Sequence, residues 1–289
     1  MRKQLQDLLK RRVEQCVSQE RTKAWNCPKI ERKKESCLKR KAEIVKSKAT
    51  GKITDIREEN DISVVSYDVH FQYLIKQKDL LILEEEIEQR RAEFFNNELI
   101  EELEVHPNLQ RDLKDYFVPS DDRDERLSYE YNRLRAVQYA ERWWNEFNPA
   151  YKRFENDCTN FISQCLRAGG APMRGIPNRN RGWWMTNTWS FSWTVAQSLR
   201  GYLGSSQVGL RSREVASPRE LLLGDIICYD FQGDGRFDHN TIVTGKDAFG
   251  MPLVNAHTTN SRMRYWAYED STAYTPQIKY KFFTIVDDR

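Results

Sequence analysis

Apolar residues recur at helical spacing at the start of the chain, where Leu5, Leu8, Leu9 and Val13 predict a helix. Ile30, Cys37, Ala42 and Val45 fall more loosely along a second, Lys-rich helix. Pro28 stands near its start, where a missing N–H costs little. From Gly51 the period changes to two. Lys52 to Ile56 and Ile62 to Phe71 read as strands around the polar turn Glu58-Glu59-Asn60-Asp61. Leu80 to Ile87 and Arg90 to Ile100 continue an antiparallel meander, although the acidic run would also suit a helix. Helical spacing returns from Tyr129 to Phe147, through Leu134, Val137, Ala140 and Trp144, and Asn148-Pro149 closes it. Phe161, Ile162, Cys165, Leu166 and Ala168 trace the face of a further helix ending at Gly169-Gly170. Leu221 to Tyr229, Asp238 to Gly245 and Leu253 to Thr258 read as strands, the last two joined by the turn Asp247 to Gly250.

Composition divides this pattern in two. The chain has 289 residues and 8 Trp, yet residues 1–120 hold only Gly51 and Trp25 of their kinds. Aromatics at 12% exclude disorder throughout. No apolar run is long enough to cross a bilayer as a helix, so no integral membrane association is expected. The first residues lack the apolar centre of a secretory leader, and a cytoplasmic location is expected. The net charge of +3 conceals +10 over residues 1–48 and −9 over residues 49–120. These blocks read as a basic helical layer beside an acidic sheet in one self-compensating domain. A protein partner for that domain stays open, whereas the lack of base-stacking aromatics argues against nucleic acid. The expected organisation is a small α+β accessory domain over 1–105, a polar, Pro-punctuated linker over 106–128 and a larger second domain over 129–289.

The chemistry of the second part gathers around one thiol. Asn156 or Asp157 can cap the helix that follows, which places Cys158 in its first turn. There the unpaired N–H groups favour a thiolate and can hold an oxyanion during acyl transfer. Cys165 lies two turns on, roughly 10.5 Å away, too far for a disulfide. A nucleophilic cysteine needs a base, and this part offers His239 and His257. Asn255 and His257 share one strand face and can sit beside His239 across a hairpin.

The run Asp157-Cys158-Thr159-Asn160-Phe161-Ile162-Ser163-Gln164-Cys165 carries a resemblance, together with Trp183-Trp184, Ser192-Trp193-Thr194, Gly224-Asp225-Ile226-Ile227 and Asp238-His239-Asn240-Thr241-Ile242-Val243-Thr244. These motifs resemble the putative amidase domain family, related to papain-like cysteine amidohydrolases of the CHAP and NlpC types, over about residues 129–289. The resemblance implies a bacterial source, a papain-like fold, Cys158 as nucleophile and His239 as base. It also implies an amide substrate such as a peptidoglycan stem peptide. His257 matches the third polar position best, with Asn255 as the alternative.

For substrate contacts, Trp183 and Trp184 are expected in a cleft beside an Arg-rich loop whose Arg179 and Arg181 meet carboxylates. Asp157 orients or caps the helix start and joins this set. Zinc is the rival use of the Cys and His residues, but no Cys-x-x-Cys or His-x-x-x-His pair is present, and neither metal nor cofactor is expected. The loop from Asp230 to Asp238 lacks the alternating ligands of a calcium site and reads as a tight connection. Two other classes compete with the enzyme: a non-catalytic module binding cell-wall peptides, and a scaffold acting through the charged amino-terminal domain. A wall substrate conflicts with the missing leader, which leaves a cytosolic muropeptide, release by lysis or a sporulation compartment as alternatives.

Overall fold

The computed structural model describes residues 1–18, 27–105 and 128–288. The expected linker, 106–128, lies outside the described residues except for Ser128. Two compact units divide the chain. The first holds the described residues of Met1–Pro107 with Thr259–Met263 and Tyr268–Thr272; the second holds those of Asn108–Thr258, Arg264–Ala267 and Ala273–Arg289.

In the first unit, helices α1 (Arg2–Val17) and α2 (Pro28–Lys39) precede strands β1 (Glu43–Glu59), β2 (Ile62–Gln77), β3 (Leu80–Phe95) and β4 (Glu98–Glu104). All four strands pair antiparallel in chain order. Asn60, Lys78, Asn96 and Asn97 take left-handed backbone at the two-residue turns, the geometry that joins twisted strands tightly. The second helix ends earlier than its periodicity predicts. Val45 lies in β1, which starts eight residues before Gly51, because the strand's pairing with β2 runs from Glu43. The two segments expected over 80–100 are one long strand and its turn, and the acidic run is sheet rather than helix.

Alternation explains why. On β2, Val65, Tyr67, Val69, Phe71, Tyr73 and Ile75 are all buried, two residues apart. On β3 the same face continues as Ile82, Glu84, Glu86, Glu88, Arg90, Ala92 and Phe94, also buried. The helices supply the countercharges. Lys33 pairs with Glu84 and, at 2.7 Å, with Asp270, while Lys29 reaches Glu88, Glu86 at 3.4 Å and Glu104 at 3.2 Å. Arg12 meets Glu102 at 2.5 Å, and Arg90 pairs with Glu88 and Glu102. Burial works to raise the Glu102 carboxyl, but the hydrogen bond and charge of Arg90 hold it down at about 2. The opposite charge blocks therefore meet inside this unit.

The second unit contains α3 (Arg133–Trp143), α4 (Cys158–Ala168), the single turn α5 (Phe191–Thr194), α6 (Ala196–Ser205) and β5 (Arg211–Val215). Strands β6 (Ile226–Asp230), β7 (His239–Lys246) and β8 (Pro252–Ala256) follow, then β9 (Ser261–Tyr265), whose Ser261–Met263 belong to the first unit, and β10 (Lys279–Val286). The strand order is β8-β7-β6-β10-β5, and each neighbouring pair runs antiparallel. The second unit is thus α+β as well. From β9, Ser261 and Arg262 pair with β3 in the first unit, while Arg264 belongs to the second.

The apolar face of α4 packs Phe161, Ile162, Cys165 and Leu166 into a core with Trp183, Trp193, Leu199 and Phe283. Trp183 and Trp193 stack with ring centroids 4.6 Å apart. Burying each such ring removes 150–250 Å² from water, on the order of 5 kcal/mol before ordering losses. Asn132 caps α3 by accepting from the Arg135 N–H at 3.0 Å, a contact typically worth about 1 kcal/mol. Asp225, fully buried at the entry to β6, accepts from Leu222 N–H, Ile285 N–H and Arg133 Nη1. It ties β6, β10 and α3 together, so the Gly-Asp pair of that motif is structural. Gly224 has a φ of +82°, which fits the turn that an L side chain would strain.

Candidate active site

Cys158 is the first residue of α4, where the periodicity places it. Asp157 stands at the N-cap but does not cap the helix with its side chain. One carboxylate oxygen accepts from Phe154 N–H at 3.0 Å and Asn160 Nδ2 at 2.9 Å; the other lies 2.9 Å from His257 Nδ1. A buried carboxylate engaged in this way has no surface for substrate, and the expected substrate contact is corrected to an internal one.

A different side chain meets the helix start. Thr258 Oγ1 accepts from Asp157 N–H at 3.1 Å and from Cys158 N–H at 3.0 Å. The Cys158 amide expected to hold an oxyanion is therefore occupied by a hydroxyl. Cys158 Sγ lies 3.7 Å from Thr159 Oγ1, which itself accepts from Asn240 Nδ2 at 3.0 Å. Cys158 is 5% exposed, and burial pushes its thiol up. The Thr159 hydroxyl, the Asn240 backbone N–H and the Thr258 hydroxyl oppose that rise, while the Asp157 charge adds to it. Desolvation wins over the helix-start effect expected from sequence, so the resting group is a thiol rather than a thiolate.

His239 opens β7, one residue before the Asn240 that touches both Cys158 and Thr159. Its ring lies near Tyr229 and Phe231, at centroid distances of 5.7 and 6.1 Å. Burial, helped by the charge of Arg264, lowers its pKa to about 3, so the imidazole rests neutral. A direct hydrogen bond to His239 is not among the contacts of Cys158 in the described residues.

His257 does not orient the His239 ring. Its Nδ1 faces Asp157 Oδ2 and its Nε2 faces the Trp143 carbonyl oxygen at 2.7 Å. The ring lies flat on Phe161, with centroids 4.0 Å apart and planes within 9°. Both ring nitrogens are thus committed, and the expectation that His257 orients the base is corrected: it anchors Asp157, the residue before the thiol. Asn255, in register with Ile242 on β7, donates to Glu141 Oε1 at 2.8 Å and accepts from Thr244 Oγ1. These contacts face α3 and the neighbouring strand.

Trp183 and Trp184 are fully buried, which corrects their assignment to a cleft wall. Trp183 Nε1 donates to Ser163 Oγ, and Trp184 Nε1 reaches the carbonyls of Asn178 and Arg181. Trp189 is the half-buried member of the group, edge-on to Phe154 at 4.9 Å. Arg179 is exposed, donates to the Trp189 carbonyl and lies over the Phe191 ring; Arg181 is also exposed. The loop after Asp230 closes on that carboxylate, which accepts from the N–H groups of Gly233, Asp234 and Gly235. All six cysteines are free, and among the described residues no three His, Cys, Asp or Glu side chains converge as metal ligands. No helix of the described residues is long and apolar enough to cross a membrane.

Sequence reasoning missed Thr258, Thr159 and Asn240. Thr159 and Asn240 each follow a residue already singled out, so the nearest neighbours of Cys158 and His239 held the available signal. Thr258 follows His257 in the same way.

Comparison with known proteins finds a family over the second part of the chain. The family described as a putative amidase domain matches residues 130–283. The uncharacterized protein YhbB of Bacillus subtilis (strain 168) is 53% identical over 270 residues, 90% of this chain and 86% of that protein. The uncharacterized protein YjcM of the same organism is 31% identical over 139 residues, 45% of this chain and 31% of that protein. No solved structure matches. Over a stretch that carries Cys158, His239 and His257, and more than half of its length, this chain belongs to the putative amidase domain family.

Proposed function

We propose that the second unit hydrolyses an amide bond by acyl transfer through Cys158, as a papain-like thiol amidohydrolase. The observation that carries this reading is the placement of Cys158 at the first residue of α4, with the strand that begins at His239 laid against it through Asn240. As Sγ attacks the carbonyl carbon, the thiol proton passes to His239, which rests neutral and gains basicity from the negative charge developing beside it. Charge developing on the carbonyl oxygen meets the positive end of α4. His239 then protonates the leaving nitrogen, the C–N bond breaks, and a thioester remains. Water attacks the thioester and gives its proton to His239. The C–S bond breaks, a carboxylic acid leaves, and the thiol regains its proton.

In this reading His257 and Asp157 hold the helix start, and His239 is enclosed by Tyr229 and Phe231. The proposed substrate is a peptide amide, such as a peptidoglycan stem peptide or muropeptide. The exposed Arg179 and Arg181 supply cations for its carboxylates. Mass spectrometry of peptidoglycan fragments and simple amides incubated with the protein tests the reading. Cys158→Ala is expected to abolish cleavage and leave the fold intact; cleavage retained by that variant would sink the mechanism. The second reading is a cell-wall-peptide binder. The burial of Cys158, which raises its thiol, favours it, and fragment binding without any turnover by the native chain would establish it.

A further inference from the structure

We propose that the groove between α1 and the open edge of β1 binds an extended acidic segment of a partner protein, which joins the sheet as a further strand. This surface lies in the first unit and does not depend on the chemistry at Cys158.

Edge, space and charge coincide there. β1 ends the sheet: β2 pairs along one side of it, and among the described residues no strand pairs along the other. A strand of 17 residues with one open side offers a row of N–H and C=O groups to another chain. Above that side, Leu5, Leu9 and Val13 of α1 line a groove of about 800 Å³ together with Ser47 to Ile53 of β1. Gly51 sits in this stretch, where a Cβ would lie 3.1 Å from Leu9 Cδ1. Its missing side chain lets helix and strand approach and leaves the groove clear.

The lining carries Arg2, Lys10, Lys48 and Lys52 and no carboxylate. Lys10 has Glu14 at 4.0 Å on its own helix, and Lys52 faces Asp68 across the ladder. Lys48 faces Gln72 there, and the neighbouring Lys46 faces Leu74, so neither has a carboxylate opposite.

Alternation fixes what the added strand carries. Ser47, Ala49 and Ile53 are half-buried on the helix side, whereas Lys46, Lys48 and Lys52 are exposed on the other. A strand laid along β1 keeps the same two faces. Its apolar side chains enter the groove beside Leu9, and its carboxylates stand across from Lys46 and Lys48. A second copy of β1 in that place would set lysine against lysine, and like charges directly across a ladder are destabilising. The occupant is therefore a segment that alternates acidic and apolar residues.

The test uses the full chain and a fluorescein-labelled peptide alternating glutamate and valine, read by fluorescence anisotropy. Control peptides alternate lysine with valine, or glutamate with serine. The Glu–Val peptide is expected to bind, and each control to bind at least about tenfold more weakly. Two further copies carry N-methyl groups on the valines or on the glutamates. A strand pairs with one neighbour through alternate residues, so one copy should lose binding and the other keep it. Lys46→Glu combined with Lys48→Glu is expected to weaken the Glu–Val peptide about tenfold and to strengthen the Lys–Val peptide. Both side chains are exposed, so the fold should be retained, which a melting curve checks. No binding of the Glu–Val peptide, equal binding of the two N-methylated copies, or native-like binding by the folded double variant overturns the proposal. Capture of the chain by phosphatidylglycerol vesicles but not by the peptide overturns it too, and makes the groove a lipid surface.

Discussion

Both units bury polar side chains against a sheet, and they do so in opposite ways. In the first, Lys29, Lys33, Arg12 and Arg90 lie against Glu84, Glu86, Glu88, Glu102 and Glu104, and opposite charges face each other at salt-bridge distance. In the second, the groups around Cys158 are hydroxyls and amides. Burial pushes the thiol and the imidazole toward their neutral forms. A paired charge is held in one protonation state by its partner. In the second unit the thiol and the imidazole both rest neutral, and under the proposed mechanism a proton has to move from one to the other.

Breaking a pair in the first unit should have the largest effect. Lys33→Met leaves Glu84 and Asp270 facing each other without their shared cation. A loss of about 3–5 kcal/mol is expected, read as a lowered denaturant midpoint. If the midpoint moved by less than a tenth of that, the network would be ornamental and the contrast between the units would fail.

The second unit should respond to acid instead. His239 has a folded-state pKa of about 3, below the value of about 6.5 in an unfolded chain. The unfolded chain therefore binds a proton that the folded chain refuses. The stability this group contributes is fully present above pH 6.5 and declines as pH falls from there toward 3. The expected slope is at most about 1.4 kcal/mol per pH unit. Urea titrations between pH 7 and 4 check this, with His239→Asn expected to flatten the slope. An equal slope in the variant would show that His239 is not the group concerned.

The smallest effect on stability belongs to the surface. Replacing both Arg179 and Arg181 by Ala should leave the melting temperature nearly unchanged, since both are exposed. Turnover of an anionic peptide should nonetheless fall relative to a neutral one. Equal turnover of the two peptides by native and variant chains would remove these residues from substrate recognition.

Much of the local structure was legible in the sequence. The spacing of Leu5, Leu8, Leu9 and Val13 marks α1, and Phe161, Ile162, Cys165 and Leu166 mark the buried face of α4. Period-two alternation over 62–71 marks β2, and the turn near Asp247 marks the β7–β8 hairpin. Less legible were segments whose pattern is not theirs alone. The acidic run over 84–88 suits helix or strand until the lysines of α2 are seen above it. Trp183 and Trp184 followed a polar loop and suggested a cleft. Their indole N–H groups are instead satisfied inside the unit, by Ser163 and by loop carbonyls.

Local preferences, acting over three or four residues, were enough to say which residues begin and line most of the helices and strands. They put Cys158 in a helix's first turn through the apolar spacing that follows it. What each polar side chain meets was decided by packing between distant segments. Asp157 and His257 are 100 residues apart and form one buried pair, and Cys158 and Thr258 share a hydrogen bond over the same separation. A histidine two residues along a strand from an asparagine carries no local sign of its partner. Its partners are set by the packing of α3 and α4, which brings the Trp143 carbonyl and the Asp157 carboxylate to the two nitrogens of the His257 ring.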